Sequence, residues 1–318
     1  MKISVLGCGR WGAFIAWYLD HIGHTLTLYG RTNSKNFIEF QETRKNKMLA
    51  LPEMITLEST LEKALKGDTI VVSINAQNFR GLLEEIKGYN IKDKKFVLCM
   101  KGIEASSGKR LTEVLHEVLH HSNQCAVWIG PGHGEEFIRG LPNCMVIDSE
   151  SEQLKDELIK AFSSELIRFY YGFDLIGNEI GAATKNVIGI AAGMLDGLQR
   201  SSLKGALMSR GTKEVSDLIK VLGGDPFSAY GLCHLGDYEA TVFSQFSHNR
   251  RFGEAYVLRE DYGSLAEGYA TVKALMNLSK KYEIELPISK AVYEVLYEGK
   301  DPEKSLAGLF LRSLKEER

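Results

Sequence analysis

Three glycines within the first twelve residues constrain this chain more than any other feature. In "ISVLGCGRWGAFIAWYL", Gly7, Gly9 and Gly12 have the spacing G-x-G-x-x-G. A short apolar run precedes them and an apolar helical run follows. In that setting each glycine answers a steric demand. Gly7 allows a tight turn, Gly9 lets an anion approach the backbone, and Gly12 lets helix and strand pack closely. The start of the helix then offers backbone N–H groups that have no partner within the helix. The spacing therefore predicts a turn that binds a pyrophosphate, and with it a dinucleotide. The competing reading is a tight turn with no ligand.

Apolar strands are expected at Lys2–Leu6, Thr25–Tyr29, Thr69–Ile74, Lys95–Met100, Ala126–Ile129 and Cys144–Ile147, with helical stretches clearest at Trp11–Ile22 and Gly108–His120. This alternation implies an α/β domain of Rossmann-like type, a doubly wound parallel sheet with helices on both faces, over residues 1–175. From about Ile176 the strand signals fade and long helical patterns follow one another. An all-α C-terminal domain is expected over residues 176–318, with the boundary near 172–177.

A length of 318 residues with 44% hydrophobic content is enough for two such cores. The formal charge of −2 argues against a general nucleic-acid binder. The five cysteines, Cys8, Cys99, Cys125, Cys144 and Cys233, are scattered and form no C-x-x-C pair. They read as thiols of a reducing cytoplasm, and no metal site is expected. The N-terminus enters a strand directly, without the pattern of a signal peptide. No stretch approaches the roughly 20 apolar residues that span a bilayer.

Several polar residues stand where chemistry is expected. The second strand runs into "TLTLYGRTNSK", with Arg31 near the place where NAD-specific turns carry an acid. An arginine there suits a 2′-phosphate and favours NADP over NAD; the alternative is a solvated loop charge. Lys101 follows the strand in "FVLCMKGIE", and "VWIGPGHGEEFIRGLP" places Gly130, Gly132 and Gly134 after another, with a helix expected from Glu135. The carboxyl ends of parallel strands are where such sheets bind ligands. The stretch "NEIGAATKNVIGIAAGML" reads as a helix buried on most sides, yet carries Lys185 and Asn186 in its middle. Burial disfavours the charged form of a lysine, as a general base requires; the alternative is a lysine that reaches solvent from a helix edge. Asp237 in "GLCHLGDYEAT" could hold that amine or a substrate hydroxyl. Ser247, Asn249, Arg250 and Arg251 in "SHNRRFG" form a polar, basic cluster suited to phosphate.

Taken together, "MKGIE", "GPGHGEEFIRGLP", "TKNVIGIAAGMLDGL", "LMSRGTKE", "GLCHLGDYEAT" and "SHNRRFG" resemble, in order and spacing, the bacterial NAD(P)-dependent glycerol-3-phosphate dehydrogenases. The resemblance covers most of the chain, to about residue 270. It implies a Rossmann domain followed by a helical one, often in a cytoplasmic homodimer. It also implies reversible hydride transfer between NAD(P)H and dihydroxyacetone phosphate, feeding phospholipid synthesis. By the same resemblance Lys185 is the proton acceptor, and Lys101 contacts substrate and cofactor. Asp237, Ser247 and Asn249, with the loop carrying Gly130 and Gly132, bind the phosphorylated substrate. Arg10, Trp11, Arg31, Gly134, Leu265 and Glu267 lie along the cofactor.

Three positions depart from the family. Gly132 stands where Ser or Thr is usual. His248 stands where an arginine touches substrate phosphate and cofactor. Asn75 in "VSINAQ" replaces a common proline. The first two fall in the expected substrate pocket. They leave open a related two-domain reductase of another keto substrate, or an NADP(H)-binding sensor without catalysis.

Overall fold

The computed structural model describes residues 1–264 and 266–310 of the chain. Met1–Lys101 together with Lys109–Leu175 forms one compact unit, and Gly102–Gly108 joins the chain from Ile176 onward in a second. The division is thus not a single cut. Residues 102–108 pack with the helical unit, where Ile103 is buried in the core and the Ala105 carbonyl accepts from Asn277 Nδ2 at 3.3 Å.

The first unit carries eight strands: β1 Lys2–Leu6, β2 Thr25–Tyr29, β3 Thr56–Glu58, β4 Thr69–Val72, β5 Lys95–Leu98, β6 Gln124–Ile129, β7 Asn143–Ser149 and β8 Ile167–Tyr171. Between them run α1 Arg10–His21, α2 Lys35–Thr43, α3 Leu61–Ala64, α4 Phe79–Lys87, α5 Leu111–Val118, α6 Gly134–Ile138 and α7 Glu152–Phe162. The sheet order is β3-β2-β1-β4-β5-β6-β7-β8. The central β4 is buried at every residue, as a strand covered on both faces requires.

The sequence pattern leads to a parallel sheet, and the sheet is parallel at every strand pair but one. β6 and β7 pair antiparallel, with Ala126 opposite Ser149, while β7 and β8 pair parallel with each other. Strand direction is not carried by local periodicity, and mixed sheets of this kind are common. Two strands, β3 and β8, go beyond those expected. β3 has only three residues, too few to display a period. β8, "IRFYY", lies at the end of the sheet with Arg168, Tyr170 and Tyr171 exposed, so it lacks the apolar run of an interior strand.

The second unit is built from α8 Leu175–Gly197, α9 Lys204–Val221, α10 His248–Leu258, α11 Glu267–Tyr282, α12 Pro287–Glu298 and α13 Pro302–Phe310. A 3₁₀ turn at Leu235–Asp237 and a π-helical turn at Glu239–Phe243 lie between α9 and α10. α8 is buried without a break from Gly177 to Leu195. Its sequence explains this. Gly177, Gly181, Gly189, Gly193 and Gly197 lie along one i, i+4 row, and Lys185 occupies the remaining place in that row. A row of glycines admits neighbours up to the backbone. A Cβ on Gly193 would lie 1.8 Å from the Arg250 carbonyl oxygen, and one on Gly253 of α10 would lie 2.1 Å from that of Ile190. α8 and α10 therefore cross backbone against backbone. Among the described residues no helix is long and apolar enough to cross a membrane, and none of the five cysteines forms a disulfide.

Candidate active site

The glycine turn has the shape its spacing predicts. Gly7 has φ +115°, and a Cβ there would lie 2.1 Å from the Ser73 carbonyl oxygen; one on Gly12 would lie 1.9 Å from the Gly7 carbonyl oxygen. Both positions are closed by backbone. A Cβ on Gly9 would meet nothing within 4 Å. Gly7 and Gly12 thus hold β1 and α1 together, while Gly9 leaves a bare backbone at the helix start. α1 has no acidic residue in its first turn and no side chain capping it. This is a cradle fitted to an anion, and the donor end of the helix favours negative charge. The residues present fit the pyrophosphate of a dinucleotide.

Around this turn, Arg10 forms an ion pair with Glu135 in the first turn of α6. Burial alone would raise the Glu135 carboxyl, but the hydrogen bond and charge of Arg10 hold it below the usual range. Trp11 is half-buried and packs on Phe14 and Phe137, with ring centroids 5.0 and 6.4 Å away. Arg31 donates to Glu85 at 2.7 Å, with both side chains at least half exposed. Lys101 follows β5 and donates through Nζ to the Gly130 carbonyl at 2.7 Å, so the two strand ends join. Gly130 and Gly132 have φ +126° and +134°. A Cβ on Gly132 would also strike the Phe137 ring at 2.5 Å. Glycine suits this position, where a hydroxyl residue is expected: a side chain would be strained by the backbone and would displace the Phe137 ring. α6 begins at Gly134, one residue before the expected start. Asn75 caps the turn that follows it, accepting from the Gln77 N–H at 2.8 Å.

In the second unit Lys185 lies deep in the packing. The residue is 4% exposed, and its Nζ forms an ion pair with Asp237, which is 1% exposed and 52 residues further on. The lysine does not reach solvent from a helix edge. It is the one long side chain on the glycine row of α8. That row is lined by the segment around Asp237 and by α10: Gly181 lies against His234, Gly189 against Thr241 and Asn249, and Gly197 against Val257. Asn186 is buried beside it, and its carbonyl lies against Gly268 at the start of α11.

The other residues read from the sequence fall nearby on α10 and α11. Ser247 is the N-cap of α10, its hydroxyl accepting from the Arg250 N–H at 3.3 Å. Asn249 Oδ1 accepts from the Gly268 N–H at 2.9 Å, tying α10 to the turn that begins at Glu267. His248 Nδ1 lies 2.8 Å from the Tyr262 hydroxyl and 3.3 Å from Arg251 Nη2. The two arginines differ. Arg250 is engaged with Asp196 at 2.8 Å and Glu254 at 3.2 Å. Arg251 is exposed, with its guanidinium over the Tyr262 ring. Leu265 lies outside the described residues. Sequence reasoning did not single out His234 and Tyr238, which flank Asp237 and lie 2.7 Å apart through Nε2 and the hydroxyl. Their only local sign was a histidine three residues before Asp237 and a tyrosine just after it.

A buried ammonium held by a buried carboxylate can give a proton to a developing alkoxide and regain it, with its position set by its partner. The glycine turn can hold a dinucleotide. Known proteins match this chain over both halves. The family model described as the N-terminus of NAD-dependent glycerol-3-phosphate dehydrogenase matches residues 2–155, and that described as its C-terminus matches residues 174–307. The chain is 37% identical to a glycerol-3-phosphate dehydrogenase [NAD(P)+] of Thermoanaerobacter sp. (strain X514), over all of this chain and 99% of that one. It is 36% identical to another from Thermotoga sp. (strain RQ2), with the same coverage. The crystal structure of glycerol-3-phosphate dehydrogenase from Coxiella burnetii superposes with a TM-score of 0.92 at 28% identity, covering 98% of each chain.

Proposed function

Since the chain belongs to the NAD-dependent glycerol-3-phosphate dehydrogenase family, we propose that it interconverts dihydroxyacetone phosphate and sn-glycerol 3-phosphate with Lys185 as acid and base. The observation that carries this reading is the buried Lys185–Asp237 pair in the helical half. When bound, the nicotinamide supplies the hydride to the ketone carbon, or takes it back. Gly7, Gly9 and Gly12 would hold its pyrophosphate, with Arg10 and Trp11 at the start of α1. In reduction the Lys185 ammonium gives its proton to the carbonyl oxygen as that oxygen becomes an alkoxide. In oxidation the amine takes the proton from the substrate hydroxyl. Asp237 keeps the amine oriented throughout. Proton transfer of this kind is typically worth about 10²–10⁴ in rate. The direct test is oxidation of NADPH with dihydroxyacetone phosphate as acceptor, beside a small panel of 2-ketoacids. Faster reduction of a ketoacid would overturn the substrate assignment, and tight NADPH binding with no carbonyl reduced would favour a sensor.

Arg251 is the candidate phosphate-binding cation in place of the arginine that His248 replaces. It is exposed and stands beside His248, whereas Arg250 is occupied by two acids. A charge-assisted bond to phosphate is worth about 1.5–3 kcal/mol, so Arg251→Ala should raise KM for dihydroxyacetone phosphate by roughly 10- to 100-fold with kcat little changed. An unchanged KM would remove Arg251 from the site.

NADP is the proposed cofactor over NAD, on the strength of Arg31. Its partner Glu85 is exposed, and exposed pairs are worth only about 0–1 kcal/mol, so the guanidinium is released to a 2′-phosphate at little cost. Arg31→Ala should shift the NADPH-to-NADH preference by about tenfold toward NADH. Equal loss with both cofactors would refute that reading. We further propose a cytoplasmic homodimer supplying glycerol phosphate to lipid synthesis. Analytical ultracentrifugation checks the dimer.

A further inference from the structure

His234 is fully buried yet carries a polar ring, and the proposed mechanism does not use it. Its Nδ1 lies 2.9 Å from the Gly181 carbonyl oxygen and its Nε2 lies 2.7 Å from the Tyr238 hydroxyl. A carbonyl only accepts, so Nδ1 carries the proton and donates. Burial pushes the imidazole down to about 4, outweighing the Gly181 hydrogen bond that favours the charged ring, so the ring is neutral. Nε2 is therefore an acceptor. Burial also pushes the Tyr238 hydroxyl up, outweighing its hydrogen bond with Thr212, so it keeps its proton and donates to Nε2. The Gly181 carbonyl thus sets the tautomer, and the Tyr238 hydroxyl takes the remaining ring nitrogen.

The places these bonds join are not arbitrary. In an α-helix the Gly181 carbonyl is also the acceptor for the backbone N–H of Lys185, four residues on. His234 and Tyr238 flank Asp237. His234 is the N-cap of the 3₁₀ turn that carries it, its own carbonyl accepting from the Asp237 N–H at 3.0 Å. The ring thus bridges the helical turn that ends on the lysine and the turn that presents its carboxylate. Two glycines make room for it. A Cβ on Gly181 would lie 3.0 Å from His234 Cβ, and one on Gly211 of α9 would lie 3.2 Å from the Tyr238 hydroxyl. The π-helical turn that follows, Glu239–Phe243, is a backbone feature often found at functional sites.

We propose that the Gly181–His234–Tyr238 chain of hydrogen bonds is a clamp that sets the position of Asp237 against Lys185. His234 and Tyr238 are then positioning residues for the proton transfer, an inference that rests on the acid–base role assigned to Lys185. An error of about 1 Å in a reacting group costs on the order of 10²-fold in rate, which sets the scale of the effect.

The test uses the full-length protein and three variants, His234→Leu, His234→Asn and Tyr238→Phe. Turnover of dihydroxyacetone phosphate and the ¹⁵Nζ resonance of Lys185 are both measured, the resonance being assigned by its loss in Lys185→Met. His234→Leu should lower kcat by about 10- to 100-fold, with KM and NADPH affinity close to wild type. Tyr238→Phe, which removes only the hydroxyl, should lower kcat less and should displace the Lys185 resonance. His234→Asn, which restores a donor toward Gly181, should recover part of the loss. If His234→Leu does not fold, Tyr238→Phe decides. A folded Tyr238→Phe with wild-type kcat and an unmoved resonance would overturn the clamp. Absence of turnover in the wild-type protein would overturn the function instead, and the resonance would still report on the clamp.

Discussion

Lys185→Ala is expected to lower kcat for dihydroxyacetone phosphate reduction by about 10²–10⁴, the usual worth of a positioned acid–base group. NADPH affinity should survive, because the glycine turn belongs to the other compact unit. The substitution has a second consequence. It leaves the Asp237 carboxylate buried without its ammonium, and breaking a buried pair from one side costs about 3–5 kcal/mol. Loss of activity alone could then mean loss of fold. The double variant Lys185→Ala, Asp237→Asn separates the two: it should regain much of the thermal stability while remaining inactive. Turnover within tenfold of wild type in a folded Lys185→Ala protein would end the acid–base assignment.

Gly12→Ala is the second large effect. The added carbon would lie 1.9 Å from the Gly7 carbonyl oxygen, a distance no side-chain adjustment relieves because both parties are backbone. Gly7 cannot yield either: it is at φ +115° and itself packed on the Ser73 carbonyl. The β1–α1 turn must open. NADPH affinity should fall by at least about 100-fold, or roughly 2.7 kcal/mol, and Tm should fall with it. Gly9→Ala is the informative contrast. Its Cβ meets nothing within 4 Å, so the protein should keep its Tm and lose affinity only. Equal loss of Tm in the two variants would show that Gly9 serves the fold and not a ligand. Fluorescence titration with NADPH and thermal denaturation measure both quantities.

Much of this molecule is legible in its sequence, and the legible parts share a cause. The glycine turn follows from steric limits on three positions within six residues. The burial of α8 follows from small and apolar residues at helical spacing. Both depend on neighbours along the chain. The order of strands along the chain also places Lys101 and the Gly130 loop at adjacent strand ends, where they join by a hydrogen bond.

The features that packing settled have another cause. β6 and β7 run antiparallel because of how the later strands return to the sheet, which no run of residues announces. Arg250 and Arg251 are adjacent and chemically alike, yet only the crossing of α8 and α10 turns the first onto Asp196 and leaves the second beside His248. Lys185 and Asp237 are 52 residues apart, and the sequence leaves Asp237 either that amine or a substrate hydroxyl to hold; packing settles it on the amine. Their pairing depends on which faces meet once the glycine row of α8 admits its neighbours. Steric allowance is a property of the chain at close range, so the order of residues was enough to say where backbone could approach backbone. Which of its two candidate partners the Asp237 carboxylate meets across that gap is a property of the packed unit, and packing brought it to Lys185.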